Sequence, residues 1–160
     1  MGTLVTVTED DWPLWREVRL AALTDAPHAF KARLADWHTG GEEQWRARLA
    51  LPGAYNVVAL LDGRAAGMAR GVTGGGGASE LRSVWVSPEA RGRGIADQLI
   101  AAVEAWARQS GARVLKLAVI PGNGPAIALY QRNGFVATGE LGDLLPDGVT
   151  REHVMAKRLC

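Results

Sequence analysis

The sequence has a single cysteine, Cys160, which is its last residue. A lone terminal thiol cannot close an internal disulfide, so we expect a fold that is stable without cross-links. Three histidines, His28, His38 and His153, are too widely scattered to match the spacing of zinc ligands. We therefore expect no metal site.

The sequence also lacks a strong net charge, which is +1 at pH 7. It thus offers no general electrostatic attraction to nucleic acid or to a membrane surface. No apolar run reaches the roughly 18 residues of a membrane span, and no signal-peptide pattern opens the chain. A cytoplasmic protein with neither nucleic acid nor membrane as a partner is the resulting prediction.

What the chain does have is a composition typical of one globular domain. It has 160 residues, of which 48% are hydrophobic and 22% are charged. A chain of this length can bury a substantial core. Without a linker of disordered composition or an internal repeat, we predict a single domain over residues 1–160.

Hydrophobic periodicity predicts alternating strands and helices along this domain. The predicted order is one strand, two helices, three strands, a helix, a strand, a helix and two final strands. Asp62-Gly63 between two apolar runs predicts a β-hairpin. The last two strands are predicted at 135–138 and 153–159, with a loop at 139–152 that turns at 146–148. Mixed strands with helices between them predict an α/β, or α+β, domain with three layers.

The stretch from Leu81 to Gly111 predicts an anion site. An apolar strand is followed by Arg91-Gly92-Arg93-Gly94-Ile95-Ala96 and then by a helical pattern. The first N–H groups of a helix have no internal partner, and the helix dipole adds positive charge there. Glycines let a diphosphate approach the backbone, and arginines suit phosphate oxygens. The pattern therefore indicates a site for a pyrophosphate ester.

Three known phosphate loops can be compared with this stretch. A P-loop needs Gly-Lys followed by Ser or Thr, which is absent. A dinucleotide-binding fingerprint needs a small residue where Asp97 stands, and an acidic residue about 20 positions further on, where none is found. The third is the R/Q-x-x-G-x-G/A loop, which residues 91–96 match at every fixed position.

A second segment, 123–135, reads NGPAIALYQRNGF. With the loop, it resembles the N-x-x-A-x-x-L-Y-x-x-x-G-F segment of the GCN5-related N-acetyltransferases (GNAT family), in the family's order and at a typical separation. The resemblance covers essentially the full chain. It implies the GNAT fold, in which a central, mixed, mostly antiparallel sheet is splayed at the acetyl-CoA site and flanked by helices.

The resemblance implies acetyl-CoA as co-substrate, bound by residues 91–96 of the loop. It also implies that the backbone of Val84, Trp85 and Val86 pairs with the pantetheine arm as an added strand would. Asn123 matches the residue that usually hydrogen-bonds the pantetheine. On sequence alone, an N-cap for the next helix is an equally sensible role for Asn123.

Two catalytic roles follow from the resemblance. Tyr130 matches the general acid that protonates the departing thiolate, and it also contacts the cofactor; the alternative is a tyrosine that simply packs in its helix. Glu80 is the candidate base; the alternative is a surface glutamate paired with Arg82, and many family members use water alone. Strand alternation predicts that Glu80, Arg82, Val84 and Val86 share one face.

The acceptor site is predicted only in outline. In the resembled family the region 27–41 borders the acceptor, so Phe30 and Trp37 are candidate substrate contacts. Four acidic residues of the last loop (Glu140, Asp143, Asp147, Glu152) favour a cationic amine if they lie near a cleft.

The predicted function is transfer of an acetyl group from acetyl-CoA to a primary amine, on a small molecule or at a peptide N-terminus or lysine. Direct attack in a ternary complex is expected, because no G-x-S-x-G or other nucleophile motif is present. The alternative is a non-catalytic module that binds or senses acyl-CoA. Dimers are common in the resembled family, so a homodimer is possible.

Overall fold

The computed structural model describes residues 3–25 and 41–159. In this part of the chain seven strands and four α-helices follow one another in the predicted order. The strands are β1 (Thr3–Val7), β2 (Ala54–Leu61), β3 (Arg64–Thr73), β4 (Ala78–Val86), β5 (Val114–Val119), β6 (Val136–Leu144) and β7 (Arg151–Arg158). The helices are α1 (Trp12–Asp25), α2 (Glu42–Leu49), α3 (Ile95–Gln109) and α4 (Gly124–Arg132).

The strands form one sheet in the order β1-β2-β3-β4-β5-β7-β6. Among these described strands only the pair β4–β5 is parallel, and the other neighbours are antiparallel. The parallel pair is joined by α3, as a parallel connection requires a crossover. The predicted mixed, mostly antiparallel sheet is thereby confirmed.

The sheet is the middle of three layers, with an apolar cluster on each face. On one face α1 and α2 bury Trp15 and Trp45 against Met68 of β3. On the other face α3 packs Leu99 and Val103 against the sheet, and residues of α4 pack at the edge of the same cluster. None of the helices given above combines the length and hydropathy that crossing a bilayer requires.

The turn between β2 and β3 is the predicted Asp-Gly turn. Asp62 and Gly63 both have positive φ, 53° and 78°. Two consecutive residues in that conformation give the turn whose twist matches a two-stranded hairpin. The hairpin prediction is therefore confirmed.

A β-bulge in β4 overturns the prediction that Glu80, Arg82, Val84 and Val86 share one face. Arg82 lies opposite Arg70 of β3, whereas Trp85 lies opposite Met68, so β4 has one extra residue between these pairs. Ser83 has a φ of 58° at this point. The extra residue shifts the alternation, so Trp85 joins the α1 face while Val84 and Val86 pack in the α3 cluster.

The end of the chain also differs from the prediction, because β6 extends to Leu144 and β7 starts at Arg151. Most of the predicted loop 139–152 is thus strand. The pairing of β6 with β7 shifts between Ala137 and Leu141, where four residues on β6 span two on β7. The glycines and acidic residues of β6 have low strand propensity, so propensity alone did not predict its second half. Backbone pairing with β7 holds this irregular strand in the sheet.

Gly71 on β3 allows α3 to approach the sheet. A Cβ there would lie 2.5 Å from Cζ3 of Trp106 and 3.0 Å from Cγ1 of Val103. The Trp106 ring is also stacked on Tyr55, with centroids 5.8 Å apart. We predict that Gly71→Ala lowers the free energy of unfolding by about 1–3 kcal/mol, measured by denaturant titration.

The matched control is Gly75→Ala, because a Cβ at Gly75 meets nothing within 4 Å. This variant should change stability by less than about 0.5 kcal/mol. Equal losses in the two variants would contradict the close approach of α3 at Gly71.

Candidate active site

The sheet opens between β4 and β5. The two strands pair only from Ala78 to Glu80, opposite Val114 to Lys116. Beyond Glu80 no described strand pairs with β4 on this side, so residues 81–86 have no partner strand there within the described ranges. An unpaired edge inside a fold offers main-chain hydrogen bonds to an extended ligand.

A cavity of about 710 Å³ lies at this opening. Its walls come from α1, β3, β4, β5, α4, β6 and β7. Four predicted site residues line it: Glu80, Val84, Asn123 and Tyr130. The structure therefore brings the candidate acid and the candidate base into one cavity.

Tyr130 is presented by α4 and is half-buried. Its ring meets Phe135 edge-to-face, with centroids 6.0 Å apart. Burial raises the pKa of Tyr130 to about 12. A phenol with this pKa keeps its proton at neutral pH, so it can donate a hydrogen bond or a proton into the cavity.

Asn123 is the N-cap of α4 and also lines the cavity. Its Oδ1 accepts a hydrogen bond of 3.4 Å from the N–H of Ala126, so it is the N-cap of α4. The same residue lines the cavity. Because the cap fixes where α4 begins, it also sets where Tyr130 emerges.

Glu80 is paired with Arg82, as in the alternative interpretation, and it also lines the cavity. Nε of Arg82 donates to Oε1 over 2.9 Å, and Nη2 donates to Oε2 over 3.2 Å. Both carboxylate oxygens thus accept from one guanidinium. For Glu80 to take a proton from an acceptor, at least one of these hydrogen bonds has to exchange.

The strand residues proposed for the pantetheine arm divide by face. Val84 lines the cavity, and Val84 and Val86 pack against the α3 cluster. Trp85 is buried on the α1 side, and its Nε1 donates to Oδ2 of Asp25 over 2.9 Å. Its side chain therefore anchors the strand, and only its backbone remains for a ligand.

The loop 91–96 leads directly into α3. No acceptor in the described part of the chain takes the main-chain N–H groups of residues 92–96. Gly92 and Gly94 have φ of 80° and 77°, and a Cβ at either would meet nothing within 4 Å. Open N–H groups at a helix N-terminus, bare of side chains, form a fitting site for an anion.

The side chains of the loop have separate positions. Nη2 of Arg91 donates to Asp25 over 2.6 Å and its Nε donates to the Val86 carbonyl over 3.1 Å, so Arg91 braces the loop against α1 and β4. The side chain of Arg93 is exposed, that of Ile95 is buried in the α3 cluster, and Ala96 is half-buried. Both arginines are exposed, but only Arg91 is hydrogen-bonded to other described residues, so the guanidinium of Arg93 is the more available to phosphate oxygens.

Asp97 connects the loop to the cavity. Its carboxylate accepts a hydrogen bond of 2.8 Å from Nδ2 of Asn133 and bonds of 3.2 and 3.3 Å from Nη2 of Arg132. The first turn of α3 is thereby tied to the end of α4, the helix of Tyr130. In the sequence Asp97 stands out only as a mismatch to a dinucleotide fingerprint, because no local pattern reveals a partner 35 residues away.

The acidic residues of the predicted last loop do not act as one group. Glu140, Asp143 and Glu152 line the cavity. Asp147 instead closes its own turn by accepting from the N–H groups of Val149 and Thr150. Hydrogen bonds from Thr150 and Val149 lower the pKa of Asp147, which is exposed.

Two cavity arginines were missed by the sequence analysis, Arg19 on α1 and Arg70 on β3. Nη1 of Arg19 donates to Oγ of Ser83, at the bulge, over 3.3 Å. An arginine inside the small-residue strand AAGMARGV is the one signal in the sequence that could have indicated Arg70.

Two other predictions cannot be compared with the structure. Phe30 and Trp37, the candidate substrate contacts, lie outside the described residues, so both remain predictions.

Among residues 3–25 and 41–159, no three acidic, histidine or cysteine side chains are grouped as the ligands of one metal ion would be.

Comparisons with known proteins agree with this geometry. The model of the "Acetyltransferase (GNAT) family" matches residues 8–135. An "IAA acetyltransferase" of Azospirillum brasilense is 34% identical over 100 residues, which are 62% of this chain and 65% of that protein. The match therefore spans just under two thirds of the length of that curated relative.

Solved structures extend the likeness. A ribosomal-protein-alanine N-acetyltransferase of Brucella melitensis superposes with a TM-score of 0.74 and 27% identity, over 98% of this chain and 99% of that one. A nourseothricin acetyltransferase gives a TM-score of 0.62 and 30% identity, over 68% of this chain and 67% of that one.

The raised pKa of Tyr130 predicts a pH dependence of stability. Below pH 10 the phenol is protonated in both the folded and the unfolded chain. Between about pH 10 and 12 only the folded chain keeps the proton, so the free energy of unfolding should fall as the pH rises, by about 2.7 kcal/mol in total. Tyr130→Phe should lack this part of the fall in denaturant titrations between pH 9 and 12.

Tyr55→Phe is the matched control, since it removes the other tyrosine and keeps Tyr130. It should retain the alkaline loss assigned to Tyr130. Parallel pH curves for the wild-type protein and Tyr130→Phe would contradict the raised pKa.

Proposed function

This chain belongs to the GNAT acetyltransferase family, and we propose that it transfers the acetyl group of acetyl-CoA to a primary amine. The acceptor is a small molecule or a peptide N-terminus or lysine, and attack is direct in a ternary complex. The observation that carries the proposal is the opening between β4 and β5, which Tyr130 lines. Arg91 holds the loop 91–96 at the end of β4 through its hydrogen bond to the Val86 carbonyl. That arrangement offers one place for a thioester and one for an amine.

The family uses acetyl-CoA as co-substrate, and the residues present fit it. The free N–H groups of residues 92–96 and the exposed Arg93 suit the diphosphate. The edge of β4 from Val84 to Val86 has no described partner strand and suits the amide groups of pantetheine, although the Val86 carbonyl also accepts from Nε of Arg91. Asn123 lies where its side-chain amide can contribute from α4.

Acetyl transfer requires two proton transfers from the cavity side chains, one that removes a proton from the amine and one that protonates the departing thiolate. An alkylammonium has a pKa of about 10.4, so it must lose a proton before its nitrogen can attack. We assign this proton to Glu80, directly or through water. The nitrogen then forms a bond to the thioester carbonyl carbon, and the carbon–sulfur bond breaks.

Tyr130 completes the transfer as the general acid. Its hydroxyl proton goes to the departing thiolate, and the phenol regains a proton from the attacking nitrogen through solvent. The balance is one amine and one thioester converted to one amide and one thiol. The high pKa of Tyr130 keeps it in the protonated form that this role requires.

The acceptor is not specified by the family. The names of the two relatives above with known acceptors point to different classes, a ribosomal protein in one case and nourseothricin in the other. Phe30 and Trp37 remain proposed acceptor contacts. A cytoplasmic location and a homodimer also remain predictions from the sequence.

The test is thiol release from acetyl-CoA over a panel of amines that includes peptides with free N-termini. We expect turnover with at least one amine. Tight binding of acetyl-CoA without turnover on any amine would contradict the transferase and favour the non-catalytic acyl-CoA module.

Tyr130→Phe tests the proposed acid. It should lower kcat by about 100-fold, because a positioned acid contributes about 10²–10⁴-fold, while the dissociation constant of acetyl-CoA changes less than about twofold. Tyr55→Phe, on β2 and not among the residues that line the cavity, serves as the control and should keep the wild-type kcat. An unchanged kcat in Tyr130→Phe would remove Tyr130 from the mechanism.

A further inference from the structure

Charge is divided along the cavity. Arg19 and Arg70 line the part formed by α1 and β3, whereas Asp143 and Glu152 line the part formed by β6 and β7. Arg82 lies between them on β4, directly opposite Arg70 in the strand register. A ligand that spans the cavity therefore meets a cationic region and an acidic region.

The guanidinium of Arg82 is matched by carboxylates. Glu80 accepts two hydrogen bonds from it, and this pairing raises the pKa of Arg82. Asp143 and Glu152 act on it in the same direction. Arg82 therefore has its counter-charge within the protein.

Arg70 has no such counter-charge among the described residues. Its Nε is enclosed and has no hydrogen-bond acceptor, and its side chain forms no ion pair within the described residues. Burial lowers the pKa of Arg70, and the neighbouring charge of Arg82 lowers it further. A half-buried guanidinium whose enclosed Nε has no acceptor favours an anion that can reach it, because charge-assisted hydrogen bonds are strongest when shielded from water.

Arg19 adds to the positive potential around Arg70. It is buried, and its pKa is lowered to about 10, first by burial and then by the charges of Arg70 and Arg48. It is therefore still cationic at neutral pH. The charge of Arg19 therefore adds to the attraction that Arg70 has for an anion.

We propose that the acceptor carries a carboxylate near its amine, as an amino acid does, and that Arg70 binds this carboxylate within the positive potential to which Arg19 contributes. The amine then lies towards Glu80, Asp143 and Glu152, whose charges favour an ammonium. The proposal rests on the proposed acetyl transfer and narrows its acceptor from amines in general to zwitterions. A polyamine, which has no anionic group, would leave Arg70 without an acceptor.

Matched acceptors test the proposal. Amino acids, their amides and the corresponding decarboxylated amines would be compared by thiol release, for example leucine, leucinamide and 3-methylbutylamine, and the same series for methionine and phenylalanine. We expect kcat/KM for the best amino acid to exceed that for its amide at least tenfold. Equal or faster turnover of amides and amines would overturn the proposal and leave the acetyltransferase assignment intact.

Arg70→Gln should raise KM for the preferred amino acid by 10- to 100-fold and leave KM for acetyl-CoA unchanged. The ratio of kcat/KM for acid over amide should fall towards one, a change that a general loss of structure would not produce. Arg70→Lys should restore part of this ratio. Arg64→Gln, on the exposed end of the same strand, is the matched control and should behave as the wild-type protein. An unchanged ratio in Arg70→Gln would overturn the assignment of Arg70.

A binding arm is independent of turnover. N-acetyl-leucine and N-acetyl-leucinamide, with the methionine and phenylalanine pairs, would be titrated into the protein with coenzyme A present. At least one acid should bind at least tenfold more tightly than its amide, and Arg70→Gln should remove the difference. If no amine is acetylated, the proposed function fails; if every acid binds no better than its amide, the carboxylate proposal fails.

Discussion

The separation of β4 from β5 is the constraint on which the rest of the site depends. Two parallel strands pair for three residues and then diverge, which leaves main-chain groups of β4 without a partner strand. Buried backbone groups normally need hydrogen-bond partners, so this edge is stable only next to solvent or a ligand. The cavity, the position of α4 and the access of a thioester all follow from it.

The β-bulge in β4 determines which side chains face that opening. One extra residue near Ser83 turns Trp85 towards α1 and Val84 towards α3. Asp25 then holds both Trp85 and Arg91, so the end of α1, the strand and the loop are fixed by one carboxylate. The bulge thus sets the face of the sheet to which the side chains at the end of β4 point.

Two neighbouring arginines of the cavity, Arg70 and Arg82, differ in whether the described residues supply them with a counter-charge. Arg82 has carboxylates as neighbours. Arg70, directly opposite Arg82 on the adjacent strand, has no counter-ion among the described residues. Close-packed like charges are unfavourable unless a ligand supplies the opposite sign. Under the proposed function, this imbalance lies on the acceptor side and bears on selectivity for the acceptor rather than for the acetyl donor.

Local chemistry alone determined the order of elements, the Asp62-Gly63 turn, the loop 91–96 and the N-cap at Asn123, because each depends on residues within about one turn of one another. The tertiary structure decided what meets in the cavity. Arg19, Arg70 and Glu152 come from segments far apart in the chain, and only strand order and register bring them together. Alternation along β4 failed at the bulge for the same reason, since one inserted residue reverses every later side chain and is set by pairing with β3.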